Sequence, residues 1–344
     1  MTEPARFFRV LDVLSRGMEW LHRNSRRHRP PIPHVSRDIP LVVADVRAEA
    51  DDVVSLRLVA PDGAPLPAWH PGAHLDVLLP SGRLRQYSLC GDPGDHRSYR
   101  IAVRRIADGG GGSREIHDEI RTGGRITARG PRNAFPFVTA PRYLFVAGGI
   151  GITPILPMAR LAAARGADWR LVHTGRTPES LPFSDELRAL DPDRVWIRPD
   201  TEYGIPASGA DLLEQAPEDA VVYCCGPIPM ITAVRLAMPG ARASALHWER
   251  FSAPPVVDGR PFTVELARTG RVLRVPADRS TLEVIADQVP GTAYSCRQGF
   301  CGTCRVRVLS GQVDHRDRVL TDAERGEHMT ICVSRASGHL VVDL

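Results

Sequence analysis

The hydrophobic and polar positions change their period twice along the chain. Residues 6–28 place Phe7, Leu11, Leu14, Met18 and Leu21 at helical spacing, with Val10 widening the stripe and arginines opposite. Asp12 with Arg16 and Glu19 with Arg23 add acid-before-base pairs one turn apart. Arg29-Pro30-Pro31-Ile32-Pro33 then stops the helix in an extended connector. From residue 40 the period becomes two. Leu41–Val46, Val53–Val59, His74–Leu79, Arg85–Cys90 and Tyr99–Arg105 read as short strands bounded by Pro, Gly and Asp, which predicts an antiparallel β-barrel. A short helical stretch, Arg114–Arg121, follows.

A buried-strand run at Arg142–Ala147 opens a different regime. Strands at Trp169–Thr174, Arg194–Arg198 and Ala220–Cys224 alternate with helical segments, as a doubly wound parallel sheet requires. Ser252–Arg260, with Pro254-Pro255 and Asp258-Gly259, is a linker. Pro261–Ala267 and Arg271–Val275 flank Thr269-Gly270 as a hairpin, and Ser280-Thr281-Leu282-Glu283 has capping-box form and starts a helix through Gln288. Strands at Cys304–Leu309 and Leu340–Asp343 complete the pattern. The expected organisation is a helical extension (1–38), a barrel (39–138), a nucleotide-binding domain (139–252), a linker (253–260) and a C-terminal domain (261–344).

Composition narrows the function. At 344 residues the chain is long enough for two or three cores. No run of about 18 apolar residues predicts a membrane span, and the N-terminus lacks a secretory pattern. The net charge of +4 resides in residues 1–40, where eight arginines face four acids. The balanced remainder argues against nucleic-acid binding. The basic amphipathic extension itself can pack on its own protein, dock a partner or adsorb to an anionic membrane surface. Every cation is arginine, a composition bias without functional content.

The chemistry-bearing residues stand at the junctions between these regimes. Cys296, Cys301 and Cys304, followed by a distant Cys332, give C-x4-C-x2-C…C, the plant-type spacing for a [2Fe–2S] cluster. A structural zinc site favours paired C-x2-C units, and only one is present; a disulfide scaffold does not fit a large chain otherwise poor in cysteine. Gly299, Gly302 and Thr303 allow backbone amides close to the sulfurs. Gly148, Gly149, Gly151 and Thr153 form a strand, glycine turn and helix start suited to a dinucleotide pyrophosphate, without the G-x-G-x-x-G fingerprint. Cys225-Gly226-Pro227 marks a second strand-to-helix turn. The glycine run ending in Ser113 can cradle a phosphate at a helix start, with Arg85 as its cation, or be a plain flexible loop.

Arg85-Gln86-Tyr87-Ser88 in a barrel ahead of a nucleotide-binding domain resembles the ferredoxin reductase superfamily. With Tyr87-Ser88-Leu89-Cys90, the glycine run before Ser113, Gly130-Pro131-Arg132-Asn133-Ala134-Phe135-Pro136 and the C-terminal cysteines, residues 40–344 resemble the phthalate dioxygenase reductase family. The resemblance implies a barrel binding FMN, with FAD open as the longer alternative. It places Arg85, Gln86, Tyr87, Ser88, Ala102, Val103, Arg104, Gly110, Gly111, Gly112 and Ser113 around the flavin, with Ser88 near its N5 and Tyr87 along the ring. It further implies a β-grasp ferredoxin domain, and Cys225, Gly226 and Pro227 beside a nicotinamide. His247-Trp248-Glu249-Arg250-Phe251 resembles the family's closing element, which makes Phe251 the aromatic on the flavin face and puts Glu249 near the hydride path. A core role is the alternative for these aromatics and for Cys225. Arg176 favours NADPH by its charge, whereas the resemblance implies NADH. The implied activity is NAD(P)H-dependent electron transfer through flavin and cluster to a terminal oxygenase, Rieske-type or otherwise iron-dependent. A cytochrome P450 acceptor and an autonomous flavin oxidoreductase are the alternatives. A cytoplasmic location suits the unpaired thiols.

Overall fold

The protein was analysed as a computed structural model, which describes residues 38–107, 111–251, 255–289, 292–294, 297–300 and 302–344. The expected N-terminal helix therefore lies outside the described residues, as do Gly110, Cys296 and Cys301.

Three sheets follow one another along the chain. The first comprises β1 (Asp38–Ala50), β2 (Val53–Val59), β3 (Ala73–Leu78), β4 (Leu84–Ser88), β5 (Ser98–Arg104) and β6 (Arg125–Asn133), in the order β4-β3-β6-β1-β2-β5. A bridge between Leu89 and Ile101 joins the two ends of that order, so the antiparallel sheet closes. Alternate residues point inward. Leu41 and Val43, Leu56 and Leu58, Leu75 and Val77, Ile101 and Val103, and Ile126 and Ala128 build one buried core. The helix Gly112–Glu119 covers one end through Ile116. β6 goes beyond the strands expected from periodicity: its second half is the Gly130–Asn133 motif, whose polar residues carry no apolar alternation.

The second sheet is parallel throughout: β7 (Arg142–Gly148), β8 (Asp168–Gly175), β9 (Val195–Pro199), β10 (Val221–Cys225) and β11 (Ala245–Glu249), ordered β11-β10-β7-β8-β9. Helices such as Ile152–Ala164 and Ile228–Ala237 connect them, and Tyr143–Ala147 is almost wholly buried, as expected of a strand covered on both faces. The order reverses between β7 and β10, which sets the carboxyl ends of these strands side by side as the switch-point crevice. Charge and hydrogen bonds tie this layer to the barrel. Arg100 of β5 and Arg160 both pair with Glu186, and Tyr223 Oη donates to Pro136 O at 3.0 Å and accepts from Val138 N at 2.7 Å.

The third sheet is β12 (Phe262–Leu266), β13 (Arg271–Val275), β14 (Arg305–Asp314), β15 (His328–Thr330) and β16 (Arg335–Val342), ordered β13-β12-β16-β14-β15, with the helix Thr281–Gln288 packed on it. The predicted capping box is present: Glu283 N donates to Ser280 Oγ and Ser280 N to Glu283 Oε2. β14 and β16 run further than their apolar cores suggest, because their paired extension is built from Ser310, Gly311, Gln312, Ser337, Gly338 and His339 and has a bulged register.

Candidate functional site

The β3–β4 pairing sets the first part of the site. His74 lies opposite Ser88, and Asp76 opposite Gln86. Gln86 Nε2 donates to Asp76 Oδ1 at 2.9 Å, and Arg132 of β6 pairs with the same carboxylate. Two cavities flank this strand. One, of about 230 Å³, is lined by Arg85, Gln86, Tyr87, Ser88, Ala102, Val103, Arg104, Gly112 and Ser113 from the barrel, by Ile150 and Thr153 from the parallel sheet, and by Phe251. The other, about 150 Å³, lies beyond Arg85, Gln86 and Ser88 and is walled by His74, Glu249, Arg250 and Phe251, with Tyr294, Arg297 and Gln298 of the third domain opposite. Both share Phe251, which is 51% exposed in spite of its size. An aromatic left half-uncovered between two cavities is suited to lie against a planar ligand.

The dinucleotide turn is built by close approach. A Cβ on Gly151 would lie 2.2 Å from Cys225 O, and one on Gly226 2.9 Å from Gly148 Cα. The ends of β7 and β10 therefore meet only because these positions lack side chains. Beneath the turn, the fully buried His173 contacts Gly149 O through Nε2 at 3.1 Å; burial holds this imidazole neutral, pulled down to about 4.

At the end of β11, Glu249 is opposite Cys225 in the parallel pairing. Its Oε2 is shielded from solvent and has no hydrogen-bond partner among the described residues, and burial pushes the carboxyl up to about 8. The Cys225 thiol is raised well above its ordinary range, first by burial and then by Glu249 and Cys224. His74 is pulled down to about 4 by burial and by the Arg132 charge. Glu249, Cys225 and His74 are thus held neutral near pH 7, while Arg85 and Arg104 line the first cavity.

Cys304 and Cys332 are both buried in the third domain, at 3% and 4% exposure. Gly299, which lies between Cys296 and Cys301 in the sequence, has φ +78°, and a Cβ there would meet Val333 at 2.6 Å. Two thiols at the positions demanded by C-x4-C-x2-C…C, beside a loop that tolerates only glycine, fit an iron–sulfur centre. The loop reaches the first two domains directly. Gln298 Nε2 donates to Arg250 O at 2.7 Å, Arg250 Nε donates to Gln298 Oε1 at 3.3 Å, and Tyr294 Oη donates to Leu84 O at 3.3 Å.

The fold therefore brings most of the sequence-predicted residues to one place. Gly111 borders the first cavity without lining it. Gly148, Gly149, Gly151, Cys225, Gly226 and Pro227 form the crevice turn behind Ile150 and Thr153. Cys225 has no exposed surface. Arg176 is exposed at the carboxyl end of β8, outside both cavities. Sequence reasoning missed His74, Ile150, Tyr294 and Gln298. The last two flank Cys296 and were within reach of the motif, whereas nothing local marks His74.

Comparison with known proteins agrees with this layout. Residues 264–337 match the 2Fe-2S iron-sulfur cluster binding domain and residues 145–236 the oxidoreductase NAD-binding domain. The phthalate dioxygenase reductase of Burkholderia cepacia is 40% identical over 312 residues, covering 88% of this chain and 97% of that protein. A solved phthalate dioxygenase reductase, described as a modular structure for electron transfer from pyridine nucleotides to [2Fe-2S], superposes with TM-score 0.70 at 39% identity, over 89% of this chain and 98% of the other. An intact type IV self-sufficient cytochrome P450 monooxygenase gives TM-score 0.69 at 37% identity over 92% of this chain, which spans only 43% of that longer protein.

Proposed function

The chain belongs to the phthalate dioxygenase reductase family, and from that premise we propose that its two cavities seat one FMN between an NADH site and a [2Fe–2S] cluster. It is an oxidoreductase of the reductase-component class, with the NAD-binding and 2Fe-2S domains of that class. The observation that carries the proposal is the shared wall of the two cavities. Arg85, Gln86, Ser88 and Phe251 face the nucleotide turn on one side and the cluster loop on the other.

When bound, the flavin supplies the conversion of a two-electron hydride into single electrons. The chain's residues bind, orient and insulate. Arg85 and the helix start at Gly112 and Ser113 hold the phosphate end. Ser88, 7% exposed, lines the cavity with its hydroxyl and would meet the ring, and Tyr87 would lie along it. Phe251 would cover the ring, and the turn Gly148–Thr153 would receive the nicotinamide, with Cys225, Gly226 and Pro227 as its floor. Glu249, neutral near pH 7, can retain a proton beside the transfer path without placing a charge there. Cys296, Cys301, Cys304 and Cys332 hold the cluster, and Gln298 and Tyr294 keep its loop against the flavin domain.

The acceptor we infer is the terminal oxygenase of an iron-dependent system, because relatives matched along nearly their full length are reductase subunits of dioxygenases, monooxygenases and demethylases. Likeness to the reductase part of a self-sufficient P450 supports a P450 acceptor as the second reading. A cytoplasmic location suits thiols that must stay reduced. No helix among the described residues is long and apolar enough to cross a membrane.

The visible spectrum of the purified protein tests the cofactor content: flavin bands together with [2Fe–2S] shoulder bands are expected, and absence of either refutes the relay. Cys304→Ser tests its order. Electron flow from NADH to ferricyanide should persist while cytochrome c reduction falls at least tenfold. An equal fall in both, with flavin retained, would refute the sequence flavin then cluster.

A further inference from the structure

The β3–β4 turn carries a charged network of Ser81, Arg83 and Glu115. Arg83 immediately precedes β4 and Arg85 lies within it. Both meet the start of the helix Gly112–Glu119, where two glycines make room. A Cβ on Gly111, whose φ is +78°, would lie 3.4 Å from Arg83 Nε and Cζ, and one on Gly112 would lie 2.7 Å from Arg85 Nε. Arg83 is held there by a carboxylate of that same helix. Glu115, 4% exposed, accepts from Arg83 Nη1 at 3.2 Å, from Ser81 N at 2.8 Å and from Ser81 Oγ. Nε and Nη2 of Arg83 have no hydrogen bond among the described residues. The buried acid thus fixes one edge of the guanidinium and leaves the other beside Gly111 at the helix mouth.

Resting on the FMN reading above, we propose that Arg83, positioned by Glu115 and Ser81, is the second cation for the flavin's terminal phosphate and selects FMN over FAD. The chemistry follows from charge. A phosphate monoester carries close to two negative charges at neutral pH and three terminal oxygens, more than Arg85 and a helix start satisfy. A second guanidinium supplies the missing charge. In FAD that phosphate is joined by an anhydride bond to AMP and carries one charge, and the AMP would have to leave through the same mouth, where Arg83 stands. Arg83 is a specificity-determining residue; Glu115 acts through it.

The test uses the full-length protein, cluster in place, freed of flavin and titrated with FMN, riboflavin and FAD by fluorescence quenching. Arg83→Gln should raise the Kd for FMN about tenfold, equivalent to about 1.4 kcal/mol, and leave riboflavin within twofold. The preference for FMN over FAD should narrow by a similar factor, and Arg83→Lys should restore part of the loss. The [2Fe–2S] absorbance, unchanged, reports an intact fold. Equal weakening of FMN and riboflavin would show a merely structural role and overturn the assignment, as would no change in either. If the wild-type protein prefers FAD, the cofactor reading falls along with Arg83. If it prefers FMN and Arg83→Gln leaves that preference intact, only the Arg83 assignment falls.

Discussion

Replacing Glu249 by glutamine removes a group that titrates near 8 in the folded protein against an ordinary value of 4.5. The unfolded chain releases this proton near 4.5, whereas the folded chain keeps it to about 8. Between these values the folded state binds more protons, so raising the pH favours unfolding. The wild-type protein is free of this penalty below 4.5, loses stability from 4.5 to 8, and is level above 8. At about 1.4 kcal/mol per pH unit the whole interval is worth at most about 5 kcal/mol. Glu249 keeps part of its surface at the cavity, so water relaxes the carboxylate and about 2 kcal/mol is the expected size. Glutamine keeps the shape and cannot ionise. Glu249→Gln should match the wild type at pH 5 and exceed it by about 2 kcal/mol at pH 8.5, or about 3 °C in Tm for a chain of this length. Thermal melts of both proteins across pH 5–9 measure the difference. A difference that does not change with pH would refute the buried neutral carboxyl, whatever its sign.

Other consequences follow from the same geometry. Gly151→Ala drives a methyl against Cys225 O and should cost about 3 kcal/mol, raising KM for NADH at least tenfold; denaturant melts and initial rates check both. Gln298→Ala breaks both hydrogen bonds to Arg250, so cytochrome c reduction should fall severalfold while ferricyanide reduction and the cluster spectrum stay unchanged. With NADH as the cofactor, Arg176→Ala should leave NADH turnover within twofold and weaken use of NADPH about tenfold; a strong wild-type preference for NADPH that disappears in the variant would reverse the choice of nicotinamide.

Much of this protein is legible locally. Period-two alternation marked five barrel strands because one face of each is buried and the other wet, and continuous apolar runs marked the parallel strands because both faces are covered. Where strands are built from polar and small residues, as in the second half of β6 and the outer parts of β14 and β16, no alternation exists to be read. The C-x4-C-x2-C spacing is legible because it falls in one short stretch, whereas Cys332 comes into the same core as Cys304 only through the fold.

What could be read from the chain alone were its short motifs: the C-x4-C-x2-C spacing, the glycine turn at Gly148–Thr153 and the Arg85–Ser88 strand, each expected to carry its own chemistry. Only the tertiary structure decided how these meet. That Arg85–Ser88 divides two cavities, that Phe251 serves both, that Glu249 ends up shielded opposite Cys225, and that Gln298 closes on Arg250 all depend on residues distant in the chain. Burial and proximity are sums over such neighbours. Arg83 shows the limit most sharply: in sequence it is one arginine among many, and it gains a role only because Glu115, 32 residues away, holds it over Gly111.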